Sequence, residues 1–481
     1  MDNSQTTTSP AVAPADPLGR LLFALAVLAL ACAPTQLMLQ FSALTGLLTE
    51  LEFPHRIIKL LAHAQIHPAV LMLMLACVVW VARWATRRDP IPWPPLSHWL
   101  VIITVALGAF LPGDHLEKSV LKEVGQWVLS LVVGIIVFRD ALSTPARVRI
   151  AVIALLATTS LAVLLGVFQR WQLGQQYQPN PTKRAVYETF TPQAYLTAEM
   201  PFQVCSSFAV WNEHGYHPSR AAYIGFLALA LPFALVLLVS ERRRTGMIAW
   251  IALLFIGAAV SLLAGYLAPA LLLGLLVTGF ALGTRWGGWV SAGVITYLLL
   301  LVMFGGFNRV EVLHEPFQVQ VSALEASYRY ADGTRHLKKF WGEQQAALNV
   351  FRGHSLLGVG AGNYQSTVPK AYDLLGDIDI QRLDPDSQNG YLLATVNAGL
   401  LGLAALLLLF GMHLKAARRN IATATTNPWQ AAVLGALVAL VVMTLATTPW
   451  VRGTTVLITA LFALNCNFSA LDATIANAKC D

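Results

Sequence analysis

Long apolar blocks alternate with short polar punctuation along this chain. Twelve blocks stand out, near 20–38, 68–86, 96–112, 121–138, 148–169, 219–240, 246–265, 267–284, 286–305, 389–412, 428–447 and 452–469. A helix needs about 20 apolar residues to cross a ~30 Å hydrocarbon core, and most blocks meet that length. The pattern predicts an all-α, polytopic integral membrane protein with about 12 transmembrane helices. The block at 96–112 is short. The division between 246–265 and 267–284 rests on Gly265, Tyr266 and Pro269, which suit a tight turn and equally a kink.

Charge placement orients these spans. With the N-terminus inside, the inner segments receive Arg83, Arg87 and Arg88, then Arg139, Arg147 and Arg149, then Arg242, Arg243 and Arg244, then Arg285, then Lys415, Arg418 and Arg419. Cytoplasmic loops carry the excess of Lys and Arg, so both termini are expected inside. The organisation that follows is a disordered cytoplasmic N-terminus at 1–17, nine spans over 18–305 with an outer loop at 170–218, a large outer loop at 306–388, three spans over 389–469, and a cytoplasmic tail at 470–481. The first apolar block is expected to stay as a span rather than be cleaved as a signal peptide.

Composition agrees. Hydrophobic residues make up 56% of the 481 and charged residues 12%, where soluble proteins carry about 25% charged. A typical soluble enzyme and a disordered chain are both excluded. The net charge of +7 is spread over short loops, so it reads as topology and not as nucleic-acid affinity. The five cysteines are scattered and form no metal or disulfide pattern.

Polar chemistry is expected at the outer face. Nine of the eleven histidines fall there, all but His98 and His413. In the large loop, eight basic residues face ten acidic ones. The stretch from Glu325 to Arg352 has helical composition, with Leu337, Phe340, Trp341, Ala347, Leu348 and Phe351 forming one face and Gly353 as the stop.

Three stretches carry candidate chemistry. The first runs from His354 through Gly358, Gly360 and Gly362 to Asn363 and Tyr364. Its glycines suit close backbone approach, either in a binding loop or in a structural loop over helix ends. No strand–helix unit surrounds it, so a dinucleotide site is a weak reading. The second is Asp384 to Leu392, which holds Ser387, Gln388 and Asn389 and leads into Gly399 and Gly402. It reads as a helix cap from Asp386 or Ser387, or as a phosphate or sugar site at a helix start. The third holds His214, His217 and Arg220 at an outer boundary. There an arginine snorkels to headgroups or grips a lipid-linked phosphate.

Together these residues resemble the O-antigen ligase and O-antigen polymerase superfamily. Members share a histidine followed by Asn, Ser or Gln, then nine residues, then Gly-x-x-Gly. Here Gln388 and Asn389 precede Gly399 and Gly402 at that spacing. The resemblance is clearest over 335–403 and weaker over 214–236. It implies a GT-C-like membrane glycosyltransferase in lipopolysaccharide assembly. Such an enzyme moves a glycan from an undecaprenyl-diphosphate donor to an acceptor hydroxyl at the periplasmic face of the inner membrane. The acceptor would be lipid A–core, a growing glycan or a protein.

Two departures stand out. Gln388 replaces the histidine and cannot take a proton near neutral pH. Ala264, Gly265 and Tyr266 stand where members often carry Ser-Arg. We assign Arg220 to the donor diphosphate, with Arg335, Arg352, Arg382 and Lys122 behind it and His217 as a further substrate contact. His354 is the favoured base, followed by His336 and His217, and Gln388 sits in the family's catalytic position. Asn389, Gly360 and Asn363 would contact sugar or acceptor. No cofactor and no metal are expected, and the partners are the lipid-linked glycan, the acceptor and membrane lipids. The alternatives within the family are a polymerase and a protein O-oligosaccharyltransferase. Outside it stand a lipid-glycan transporter and a non-catalytic export scaffold. Coupled transport asks for ionisable groups deep in spans, and Asp, Glu, Lys and Arg are nearly absent there.

Overall fold

The structure, a computed structural model, describes residues 16–34, 39–40, 65–110, 118–176, 218–240, 268–283, 344–364, 367–368, 371, 389–423, 427–445, 448–450 and 452–478. These residues form a helical bundle. Its helices are α1 (Pro17–Cys32), α2 (Pro68–Arg87), α3 (Leu96–Phe110), α4 (Lys118–Val128), α5 (Gly134–Ala141), α6 (Pro145–Gln176), α7 (Pro218–Ser240), α8 (Ala268–Leu282), α9 (344–353), α10 (Gly390–Thr423), α11 (Trp429–Met443) and α12 (Arg452–Ala478). A π turn, Leu129–Val133, joins α4 to α5 without a break. The described strands are the two-residue pair Leu39–Gln40 and Gln65–Ile66, joined antiparallel.

Helices occupy ten of the twelve expected spans; 246–265 and 286–305 lie outside the described residues. Among the described residues, three stretches are long and apolar enough to cross a membrane: Pro68–Arg87, Glu123–Ala141 and Gly390–Ile421. Their outward faces are apolar as well. Met74, Leu75, Val78 and Val81 on α2, Ile103 and Leu107 on α3, and Leu407 and Leu408 on α10 are all exposed. Water disfavours so much bare hydrocarbon and lipid accepts it, which associates the protein with a membrane.

Local chemistry sets the helix ends. Pro17 and Pro68 stand at first helical positions, where a missing N–H costs nothing. Asp16 caps α1 by accepting from the Gly19 N–H at 2.9 Å, and His67 Nδ1 caps α2 from Ala69 at 3.2 Å. Inside the bundle, α8 packs on α11 and α7, α1 on α2 and α6, α3 on α10, and α5 on α12. Small residues allow close approach: a side chain at Gly274 would meet the Gly435 carbonyl at 3.0 Å.

One end of the bundle collects charge. Arg83 on α2 bonds Asp16 at 2.9 Å and also Asp140 at the end of α5, while Arg87 reaches Asp16 at 3.0 Å. Arg139 donates to the carbonyls of Pro92 and Trp93, just before α3, and to Asn467 on α12. These contacts place the end of α2, the start of α3, the end of α5 and the start of α1 together. The opposite end, where α3 finishes and α4 begins, carries the candidate site.

Candidate functional site

The two glycine segments form one unit. Helix α10 breaks at Gly399, whose φ of 66° and ψ of −164° lie outside helical space and in a region nearly reserved for glycine. The break frees carbonyls and an N–H that a continuous helix would pair. The glycine loop takes them up: Val359 N–H donates to the Val396 carbonyl at 2.8 Å, Gly360 N–H to Asn397 at 3.0 Å, and Leu400 N–H to Ser355 at 2.9 Å. Gly358, Gly360 and Gly362 all have positive φ. A Cβ at Gly358 would strike the Val396 carbonyl, and one at Gly399 would strike the Leu356 carbonyl. The α3 end closes the third side, since a Cβ on Gly108 would meet the Leu357 carbonyl at 2.7 Å. A small core of Ala346, Ala347, Val350, Val359, Tyr364, Val368, Ala371 and Val396 packs beneath the loop.

Helix α9 includes Gly353 as its last residue, at the expected stop. Its buried face is Ala346, Ala347 and Val350, whereas Leu348 is exposed, so the expected apolar face is turned by about one residue. Leu337, Phe340 and Trp341 lie outside the described residues.

Five of the expected site residues are described in full. Gly360 is buried in the loop. The Asn363 side chain donates to the Val359 carbonyl at 3.0 Å and helps hold the loop's shape. Asn389 Oδ1 accepts from the N–H groups of Tyr391 and Leu392, at 3.0 and 3.1 Å, and so caps α10; the expected caps, Asp386 and Ser387, lie outside the described residues. Arg352 and His354 are exposed at the end of α9, and Arg352 reaches Asn349 at 3.4 Å. Arg220 lies in the first turn of α7 and Lys122 in α4. His217, Arg335, His336, Arg382 and Gln388 lie outside the described residues.

Sequence reasoning missed a polar pair beside the break. Asn397 on α10 is 8% exposed. Its Nδ2 donates to Glu123 Oε1 on α4 at 3.3 Å, while its Oδ1 is buried without a hydrogen-bond partner. Glu123 is half-buried. One turn further along α4, Trp127 packs on Trp450 at 4.9 Å between ring centres, and Gln126 donates to the Trp450 carbonyl at 3.3 Å. Glu123 was visible only as a charge near a span end.

A second polar cluster lies nearer the charged end. His98 and His413, the two histidines that topology separated from the rest, meet with Nε2 atoms 3.1 Å apart. Both rings pack on Phe462. Asn465 Nδ2 approaches His413 Nδ1 at 2.9 Å, and Asn420 donates to Asn465 Oδ1 at 3.4 Å. Asn420 thus fixes the Asn465 amide as a donor toward His413 Nδ1. His413 Nε2 must then carry the proton shared with His98.

No protein-family model and no curated protein matches this chain.

Proposed function

We propose that the protein is an O-antigen ligase-like glycosyltransferase of the bacterial inner membrane, with twelve spans and its active face toward the periplasm. It transfers a glycan from an undecaprenyl-diphosphate carrier to an acceptor hydroxyl. The observation that carries this reading is the docking of 354–364 onto the break at Gly399. The two segments that bear the sequence resemblance, separated along the chain, make one unit at the end of the bundle opposite the arginine-rich end.

The chemistry needs little else. As the anomeric carbon leaves the diphosphate, negative charge grows on the leaving oxygens, and cations in a site screened from water stabilise it. Arg220, in the first turn of α7, fits that role because a guanidinium matches two phosphate oxygens at once. Lys122 on α4 and the arginines of the large loop supplement it. The acceptor hydroxyl loses its proton as it bonds to the anomeric carbon. Gln388 cannot receive that proton, and His354, exposed beside the glycine loop, can. The apolar outward faces offer the polyprenyl tail a lipid-side path.

The test is reconstitution. Purified protein in lipid is given the host's undecaprenyl-diphosphate-linked glycan, with lipid A–core, free glycan and a secreted host protein as separate acceptors. Product on one acceptor is expected, and it names the branch. No product on any of the three, from a folded preparation that binds the donor, overturns the reading.

A further inference from the structure

We infer that the arginine-rich end of the bundle holds a phospholipid headgroup that carries both a phosphate and a primary amine, the chemistry of phosphatidylethanolamine. The inference needs the membrane association alone and stands apart from the glycosyltransferase reading. A cavity of about 220 Å³ lies at this end, with Trp80, Arg83, Trp84, Asp89, Arg139 and Asp140 in its walls. Pockets for drug-sized molecules begin near ~300 Å³, so this one suits a smaller group.

The walls are fixed by the fold. Arg88 ends α2 in the left-handed region, at a φ of 52°, and the chain turns there into the stretch 89–93. Arg139, near the end of α5, fastens that stretch to the bundle. Its Nη1 donates to the carbonyls of Pro92 and Trp93 at 3.2 and 2.8 Å, and its Nε donates to Asn467 Oδ1 on α12 at 3.3 Å. All three acceptors are uncharged.

The charges around the cavity are not matched pair by pair. Asp16 and Asp140 are taken up by two arginines: Arg83 bonds both carboxylates, and Arg87 reaches Asp16 at 3.0 Å. Two wall groups are left with less. Asp89, with a side chain 57% exposed, meets Arg83 at 3.9 Å, the limit of an ion pair. Arg139 forms no ion pair among the described residues, and its Nη2 donates no hydrogen bond there. A guanidinium edge and a carboxylate on one cavity, unpaired with each other, select a ligand with one group of each sign. A phosphate accepts from the Nη2 hydrogens of Arg139, and an ammonium donates to Asp89. A headgroup with negative charge alone would leave Asp89 unmatched and be repelled by it.

The surroundings favour a lipid over a free metabolite. Met74, Val78, Val81 and Trp84 succeed one another at spacings of four, three and three along α2, which puts them on one face. All four are exposed. This apolar stripe ends at the cavity, where Trp84 is also a wall residue. Indoles collect at headgroup level in membranes. An acyl chain laid on the stripe therefore brings its headgroup to the cavity.

The test uses full-length protein in detergent. Phosphatidylethanolamine and phosphatidylglycerol with the same acyl chains are added in turn, and bound lipid is counted by native mass spectrometry. Wild type should hold phosphatidylethanolamine about threefold to fivefold more tightly, the size of an exposed ion pair. Asp89→Asn, on an exposed turn, should bring the two lipids level by weakening phosphatidylethanolamine alone. Arg139→Gln should weaken both about tenfold, the size of one hydrogen bond to a charged group. Should that variant fail to fold, Asp89→Asn carries the test by itself. Free phosphoethanolamine at the same concentration should displace neither lipid. Equal binding of the two lipids by wild type, or an unchanged preference in Asp89→Asn, would overturn the inference. Displacement of phosphatidylethanolamine by free phosphoethanolamine would overturn the lipid assignment in favour of a soluble phosphorylated amine.

Discussion

At Asp16 a single carboxylate ties α1 to α2. Burial opposes its ionisation. The Gly19 N–H, the hydrogen bond from Arg83 and the charges of Arg83 and Arg87 outweigh that and hold its pKa below the usual carboxylate value. A carboxylate with a depressed folded pKa stabilises the fold at every pH above its unfolded value, and the contribution disappears as pH falls through the folded one. Thermal unfolding in detergent should therefore show acid destabilisation that sets in as pH falls through the ordinary Asp value, about pH 4, and continues below it. Asp16→Asn should lower the midpoint at neutral pH and flatten the curve on the acid side. An unchanged acid limb in Asp16→Asn would assign that limb to other groups. The same logic of mutual satisfaction governs Asn465, whose amide fixes one proton position on His413. Among the described residues it fails at a few buried atoms, Asn397 Oδ1 among them.

Among the helices, α10 shows how one residue links two elements. By its spacing from Gly402, Gly399 suggests a close helix–helix contact. The structure gives it a different task. The chain turns out of helical space there, and the loop from 354 to 362 supplies the missing hydrogen bonds. Alanine at that φ adds about 1–3 kcal/mol of backbone strain, and its Cβ would collide with the Leu356 carbonyl. Gly399→Ala should therefore release the loop before it unfolds the bundle. Limited proteolysis should cut near 354–362 faster than in wild type, while the helical circular dichroism signal stays close to unchanged. Equal cleavage rates would mean that α10 can straighten without losing the loop.

This also marks what the sequence revealed. Apolar runs placed α2, α3 and α7 within a few residues, because burial and span length are written in consecutive positions; they placed the starts of α10 and α12, which run on past the expected ends at 412 and 469 to Thr423 and Ala478. The glycines of the loop were legible as a need for close approach, but not their partner. Glu123 and Asn397 are 274 residues apart, and His98 and His413 are 315 apart. A pairing of that kind leaves no periodic trace, and only tertiary packing brings it about. The cap of α10 includes Asn389, whose Oδ1 accepts from the Tyr391 and Leu392 N–H groups; where the helix starts decides which side chain meets those groups.

On the scale of the whole molecule, polarity is divided along the bundle axis. Arg83, Arg87 and Arg139 gather at one end with Asp16 and Asp140. The glycine loop, Glu123 and the tryptophan pair gather at the other. If the arginine-rich end is cytoplasmic, as the excess of basic residues in inner loops requires, the candidate site must face outward. This is testable without knowing the substrate. In a background freed of the five native cysteines, Ser355→Cys should react with a membrane-impermeant maleimide once the outer envelope is opened and the inner membrane left intact. Asp89→Cys, on the exposed stretch after α2, should react only when that membrane is broken. The reverse pattern would place the loop in the cytoplasm and overturn the proposed periplasmic active face. The expected pattern would leave the glycine loop on the outer face that the proposed transfer needs, which makes the reconstituted transfer assay the decisive test.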